Sequence, residues 1–114
     1  MIRQSSFDAV QSLDLIPQAI IGRPLSYFAS SMHADFVSGH DDLDQFEGAV
    51  FVLDEKFHFA LKWYRGHPKG TTTIYLPHEF SGLDDITKIV SMIMNELRLD
   101  EGTLVWQRAD NPDL

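Results

Sequence analysis

Between residues 57 and 64 the chain reads FHFALKWY, with Phe57, Phe59, Leu61 and Trp63 alternating against His58, Ala60, Lys62 and Tyr64. A period of two is the period of a strand and of nothing else, so this segment commits the chain to a sheet with at least one buried face. Its neighbours fit the same sheet. AVFVLD (49–54) is rich in β-branched and aromatic residues, and TTTIYL (71–76) is a third β-prone run. A tight turn near Glu55 and Lys56 joins the first pair, and RGHPKG (65–70) supplies two glycines and a proline for the second connection. The pattern predicts an antiparallel β-meander over about 49–76. Setting Tyr64 opposite Thr71 puts Trp63 opposite Thr72, Lys62 opposite Thr73, Leu61 opposite Ile74 and Phe59 opposite Leu76, which makes one face apolar throughout.

That face needs a cover. In SGLDDITKIVSMIMNELRL, Leu83, Ile86, Val90, Ile93 and Leu97 recur at spacings of three and four, Ile89 and Met94 widen the stripe, and Ser81 with Asp84 makes an N-terminal cap. An amphipathic helix over about 82–98 is predicted to pack on Phe59, Leu61 and Trp63. Gly102 then turns the chain into a C-terminal strand, TLVWQ (103–107); should it lie parallel to the third strand, a right-handed crossover is expected. Upstream, Pro24, the spacing of Leu25, Phe28, Met32 and Phe36, and Gly39 as a stop predict a helix, and SFDAVQSLDL offers a shorter one before Pro17. GHDDLDQFEG (39–48) reads as an acidic loop. The expectation is one α+β domain over residues 1–114: an N-terminal helical segment, the meander with its helix, and a last strand.

Charge divides the chain into three. Residues 1–55 carry a net −7, residues 56–76 carry +4 with no acid among them, and residues 77–114 carry −5, against −8 for the whole. An acidic whole disfavours non-specific nucleic-acid binding and favours a basic partner, although the cationic strip can engage an anion locally. No apolar run reaches the ~20 residues of a membrane span, and MIRQSSFDAV lacks the apolar core of a secretory signal, so a cytoplasmic protein without membrane association is expected. With no cysteine, disulfides, thiolate metal sites and a cysteine nucleophile are excluded.

Catalytic signatures are sparse. The five histidines show no metal-ligand spacing, there is no serine-nucleophile motif, and RGHPKGTT breaks the order of a phosphate loop. The nearest metal constellation, His33, Asp35, His40, Asp41, Asp42 and Asp44, departs from calcium-loop spacing. No cofactor is expected.

Three readings follow. The first is a non-enzymatic binding protein, in one concrete form an immunity-type or antitoxin-type inhibitor of a basic partner protein, gripping it through Asp35, Asp41, Asp42, Asp44 and Glu47. The second is a small-ligand or single-stranded nucleic-acid module using the exposed face of the 57–76 hairpin: Lys62, Tyr64, Arg65, His67, Lys69, Thr73 and Tyr75. The third is a small metal-assisted enzyme built on His33, His40 and Asp42. A homodimer through an open edge of the meander is a further expectation.

Overall fold

The computed structural model describes residues 1–10, 14–40, 45–78 and 83–108. Among these residues seven strands and two α-helices run in the order β1 (Ile2–Gln4), β2 (Leu15–Ile21), α1 (Leu25–Ser31), β3 (Val37–His40), β4 (Gln45–Leu53), β5 (Phe57–Tyr64), β6 (Thr72–Pro77), α2 (Leu83–Glu96) and β7 (Leu104–Gln107). Short 3-10 turns lie at Phe7–Val10 and Glu101–Thr103. All strands join one antiparallel sheet of order β1-β4-β5-β6-β2-β7, with β3 beside β1 on the outer edge of β4.

The meander forms in the register that the alternation dictates. Ala60 pairs with Tyr75, Leu61 with Ile74 and Lys62 with Thr73. The β4–β5 turn holds Asp54 and Glu55 at φ of 52° and 56°, and the Lys56 N–H donates to the Leu53 carbonyl at 3.0 Å. Left-handed φ at both central residues is what a tight hairpin turn needs to match strand twist. In the β5–β6 loop the left-handed positions fall on Gly66 and Gly70, as their composition predicts.

The front face of the sheet carries the main core. Ala19, Ile21, Ala49, Phe51, Leu53, Phe59, Leu61, Ile74 and Leu76 pack against Leu25 and Phe28 of α1 and against Ile86, Ile89, Val90, Ile93 and Met94 of α2. Each large side chain sealed there contributes roughly 1.5–3 kcal/mol. Ile86, Ile89, Val90, Ile93 and Met94 face the core as their spacing predicts; Ser81, the expected cap, lies outside the described residues. Among the described residues no helix is long and apolar enough to cross a membrane.

The N-terminal third departs from expectation. Among the described residues no α-helix forms before Pro17: β1, the Phe7–Val10 turn and the start of β2 stand there instead. Pro17 lacks an N–H and bars a helix interior, whereas Leu15, Ile16, Ile20 and Ile21 favour a strand; the register with β6 shifts between Pro17 and Ala19, so the proline sits at a bulge. The expected helix past Pro24 ends at Ser31, not at Gly39. His33 at φ 51° turns the chain, and the Ala34 N–H returns to the Ala29 carbonyl at 3.2 Å. Phe36 still packs against the core, partly buried, but from irregular chain beyond the helix.

Two other readings change. The acidic loop over 39–48 has strand at both ends, since Gly39 pairs with Phe46 and His40 with Gln45. The last strand does not adjoin β6: β2 lies between them, antiparallel to both, so β7 runs in the same direction as β6 one strand removed. Among the described residues the outer strands of the meander are both flanked, β4 by β1 and β3 and β6 by β2.

Candidate functional site

The front face is buried only as far as the helices reach. Beyond the row holding Ala49 and Leu61 it opens into two polar rows. Ser38 of β3 pairs with Glu47 of β4, and Glu47 pairs with Trp63 of β5. In the next row His40 pairs with Gln45, whose carbonyl accepts the Arg65 N–H at 3.0 Å. Cross-strand partners share a face, so these side chains form a platform at the end of the sheet.

Two grooves meet on it. One, of about 470 Å³, is lined by His40, Gln45, Glu47, Trp63 and Arg65 among others. The second, of about 310 Å³, runs past Glu47 and Trp63 to Lys69, Gly70, Thr71 and the start of α1 at Pro24–Ser26. Glu47 and Trp63 are the shared wall. The indole is half-buried against the core and is fixed at its polar end, where Nε1–H donates to the Pro68 carbonyl at 3.2 Å. That carbonyl also accepts the Thr71 hydroxyl at 2.7 Å, which ties the β5–β6 loop beneath the tryptophan. Glu47, Arg65 and Lys69 are exposed and make no ion pair with a described residue.

The candidate residues distribute unevenly over this geometry. Glu47 lies at the centre of the platform. Asp35 does not: its backbone is clasped by the Gln4 side chain, whose Nε2 donates to the Asp35 carbonyl at 2.7 Å and whose Oε1 accepts the Asp35 N–H at 3.1 Å. Asp41, Asp42 and Asp44 lie outside the described residues; the flanking His40 and Gln45 belong to the platform.

The second set splits. Arg65, His67 and Lys69 are exposed. Lys62, Tyr64, Thr73 and Tyr75 are not, being 8%, 5%, 3% and 6% accessible, which corrects the reading of the back face as solvated. Val10, Val50 and Ala60 pack there with Tyr64 and Tyr75, and Phe7, Leu15 and Phe46 close over them. The N-terminal segment, having become a strand and a 3-10 turn, supplies the cover that the sequence pattern did not provide.

Of the enzyme constellation the two described members, His33 and His40, lie apart, and Asp42 falls outside the described residues. His40 lines the platform groove, whereas His33 lines a separate hollow with Glu96 and Leu97. Among the described residues no three histidine, aspartate or glutamate side chains converge as metal ligands.

Sequence reasoning assigned Trp63 to the apolar stripe and stopped there. The signal that marks it is position: it is the last front-face residue of β5, at the end of the strand next to the glycine loop. Comparison with protein-family models, with curated proteins and with solved structures finds no match to this chain.

Proposed function

We propose that this chain is a small cytoplasmic binding protein without enzymatic activity, which docks a basic partner protein on the Trp63 platform in the manner of an immunity-type or antitoxin-type inhibitor. The observation that carries the reading is the half-buried, hydrogen-bonded Trp63 shared by two open grooves, with Glu47 beside it. Tryptophan and arginine are enriched among binding hot spots, and Trp63 and Arg65 lie in adjacent rows here. The net charge of −8 favours a basic partner by long-range attraction.

A second reading has its own support. Arg65 and Lys69 each line one of the grooves, whose volumes suit a small anionic ligand.

Affinity capture from cell extract, compared between wild type, Trp63→Ala, Glu47→Gln and the pair Arg65→Glu with Lys69→Glu, separates the two. A stoichiometric basic protein retained by wild type and lost with Trp63→Ala and Glu47→Gln supports the inhibitor. Loss confined to the double charge reversal, with phosphate-bearing material retained by wild type, supports the anion. A Trp63→Ala protein that folds and captures the same partner at the same yield sinks the platform.

A further inference from the structure

The back face encloses a charge. Lys62 Nζ lies 4.6 Å from the centroid of the Phe46 ring, 5.1 Å from Tyr75, 5.5 Å from Tyr64 and 5.6 Å from Phe7. All four fall inside the ~6 Å over which an aromatic quadrupole attracts a cation. The ammonium also donates to the Tyr64 hydroxyl at 3.3 Å. The rings support one another: Phe7 meets Phe46 edge-on at 5.6 Å, Phe46 meets Tyr64 at 5.5 Å, and Tyr64 meets Tyr75 at 6.1 Å. The lysine stem reaches this place across Gly48, its partner on β4. A Cβ built at Gly48 falls 2.8 Å from Lys62 Cγ, so glycine is the residue that lets the stem lie flat on the strand.

We propose that these four rings form an ammonium-binding box, occupied in cis by Lys62, and that the bound charge straps the Phe7–Val10 turn across the back of the sheet. Removing an ammonium from water is costly unless polar or π groups replace its hydration, and the four ring faces and the Tyr64 hydroxyl contribute to that replacement. Three of the rings belong to β4, β5 and β6, which the ladder already holds. Phe7 alone comes from the N-terminal segment, so the ammonium bridges that segment to the sheet. The ligand class of the box is a primary alkylammonium, and the chain supplies its own.

Charge and bulk are separable by experiment. Amide hydrogen exchange over residues 7–10 should accelerate at least about tenfold in Lys62→Met, which keeps the stem and drops the charge, and stay near wild type in Lys62→Arg. Phe7→Leu, which keeps apolar bulk but removes the ring, should accelerate the same amides without loosening α2. In Lys62→Ala the missing atoms correspond to n-propylammonium. Added at millimolar concentration, that ion should slow exchange over residues 7–10 and raise the unfolding midpoint, while neutral n-propanol should not. In the wild type, ring currents should move the Lys62 ε-methylene protons upfield. Unchanged exchange in Lys62→Met, equal rescue by n-propanol, or ε-protons at the shift of a solvated lysine would each overturn the proposal.

Discussion

At the scale of single residues, the back face turns on Gly48. Its Cβ position is 2.8 Å from Lys62 Cγ and 2.9 Å from the Leu61 carbonyl oxygen. The side chain could yield, but the carbonyl belongs to the β-ladder and cannot. Gly48→Ala should therefore destabilise the fold by about 1–3 kcal/mol, the usual cost of overpacking, even though alanine is the better strand residue. A urea unfolding curve checks this; a midpoint at or above that of wild type would mean that the ladder relaxes at no cost. Glu55 makes a different kind of contact. Arg3 donates to it through Nε at 2.9 Å and Nη2 at 3.0 Å, and these hydrogen bonds hold the Glu55 carboxyl below its ordinary value, with the Arg3 and His58 charges adding to them and desolvation opposing. A carboxyl depressed in the folded state contributes stability above the unfolded-state value and loses it as pH falls through the folded one. Wild type should accordingly exceed Glu55→Gln slightly in melting temperature at neutral pH. The difference should fade in acid as the Glu55 carboxyl takes up its proton, and shrink in high salt, since the pair is exposed. A gap that persists in acid would show that the hydrogen bonds act without the charge.

Among the elements, α2 ends on a residue unsuited to its conformation. Arg98 sits at φ 58°, the Arg98 N–H returns to the Asn95 carbonyl at 3.0 Å and the Leu99 N–H to the Met94 carbonyl at 3.0 Å, which together make a Schellman turn. Leu99 completes it by packing on the core. Arg98→Gly should stabilise by about 0.5–1 kcal/mol, because glycine carries no Cβ penalty there. A lower thermal midpoint would mean that the arginine's interaction with the helix dipole outweighs its strain. Such helix ends explain why the elements differ in legibility. The period of two in β5 and the three-four stripe on α2 are carried by side chains that all face one core, so pattern and packing agree. The first turn of α1 obeys the same logic, but its end does not: Met32 and Phe36 continue the helical spacing while His33 breaks the chain away. Both hydrophobes still pack, partly buried, against the core, one at the helix cap and one in irregular chain beyond it, so their spacing could not report where the helix stopped. The strand over 15–21 was not legible because its β-branched residues flank a proline that, in a strand, must sit at a bulge or an edge. Lys62 was misread for a related reason. A polar residue on the alternate face implies solvent unless something else covers it, and the cover comes from Phe7, fifty-five positions away.

For the molecule as a whole, the arrangement of charge governs what the platform can meet. The acids expected to grip a basic partner and the cations expected to grip an anion were rival surfaces in the sequence; in the fold Glu47, Arg65 and Lys69 border the same pair of grooves. Contact at the platform is thus mixed in sign, whereas the field far from it is set by the net −8. These two ranges respond differently to salt. Attraction at a distance decays over ~8 Å at physiological ionic strength, while a side chain seated against Trp63 is shielded from ions. For a basic partner, association should slow by about an order of magnitude or more between 20 mM and 300 mM salt, and dissociation should change far less. Glu47→Gln should then raise the dissociation rate more than it lowers the association rate, because it removes one unit from the field but a direct contact from the platform. Stopped-flow kinetics across the salt series distinguishes the effects. Were Glu47→Gln to alter only the association rate, with dissociation unmoved, the carboxylate would be part of the general field and the partner would sit elsewhere on the acidic surface.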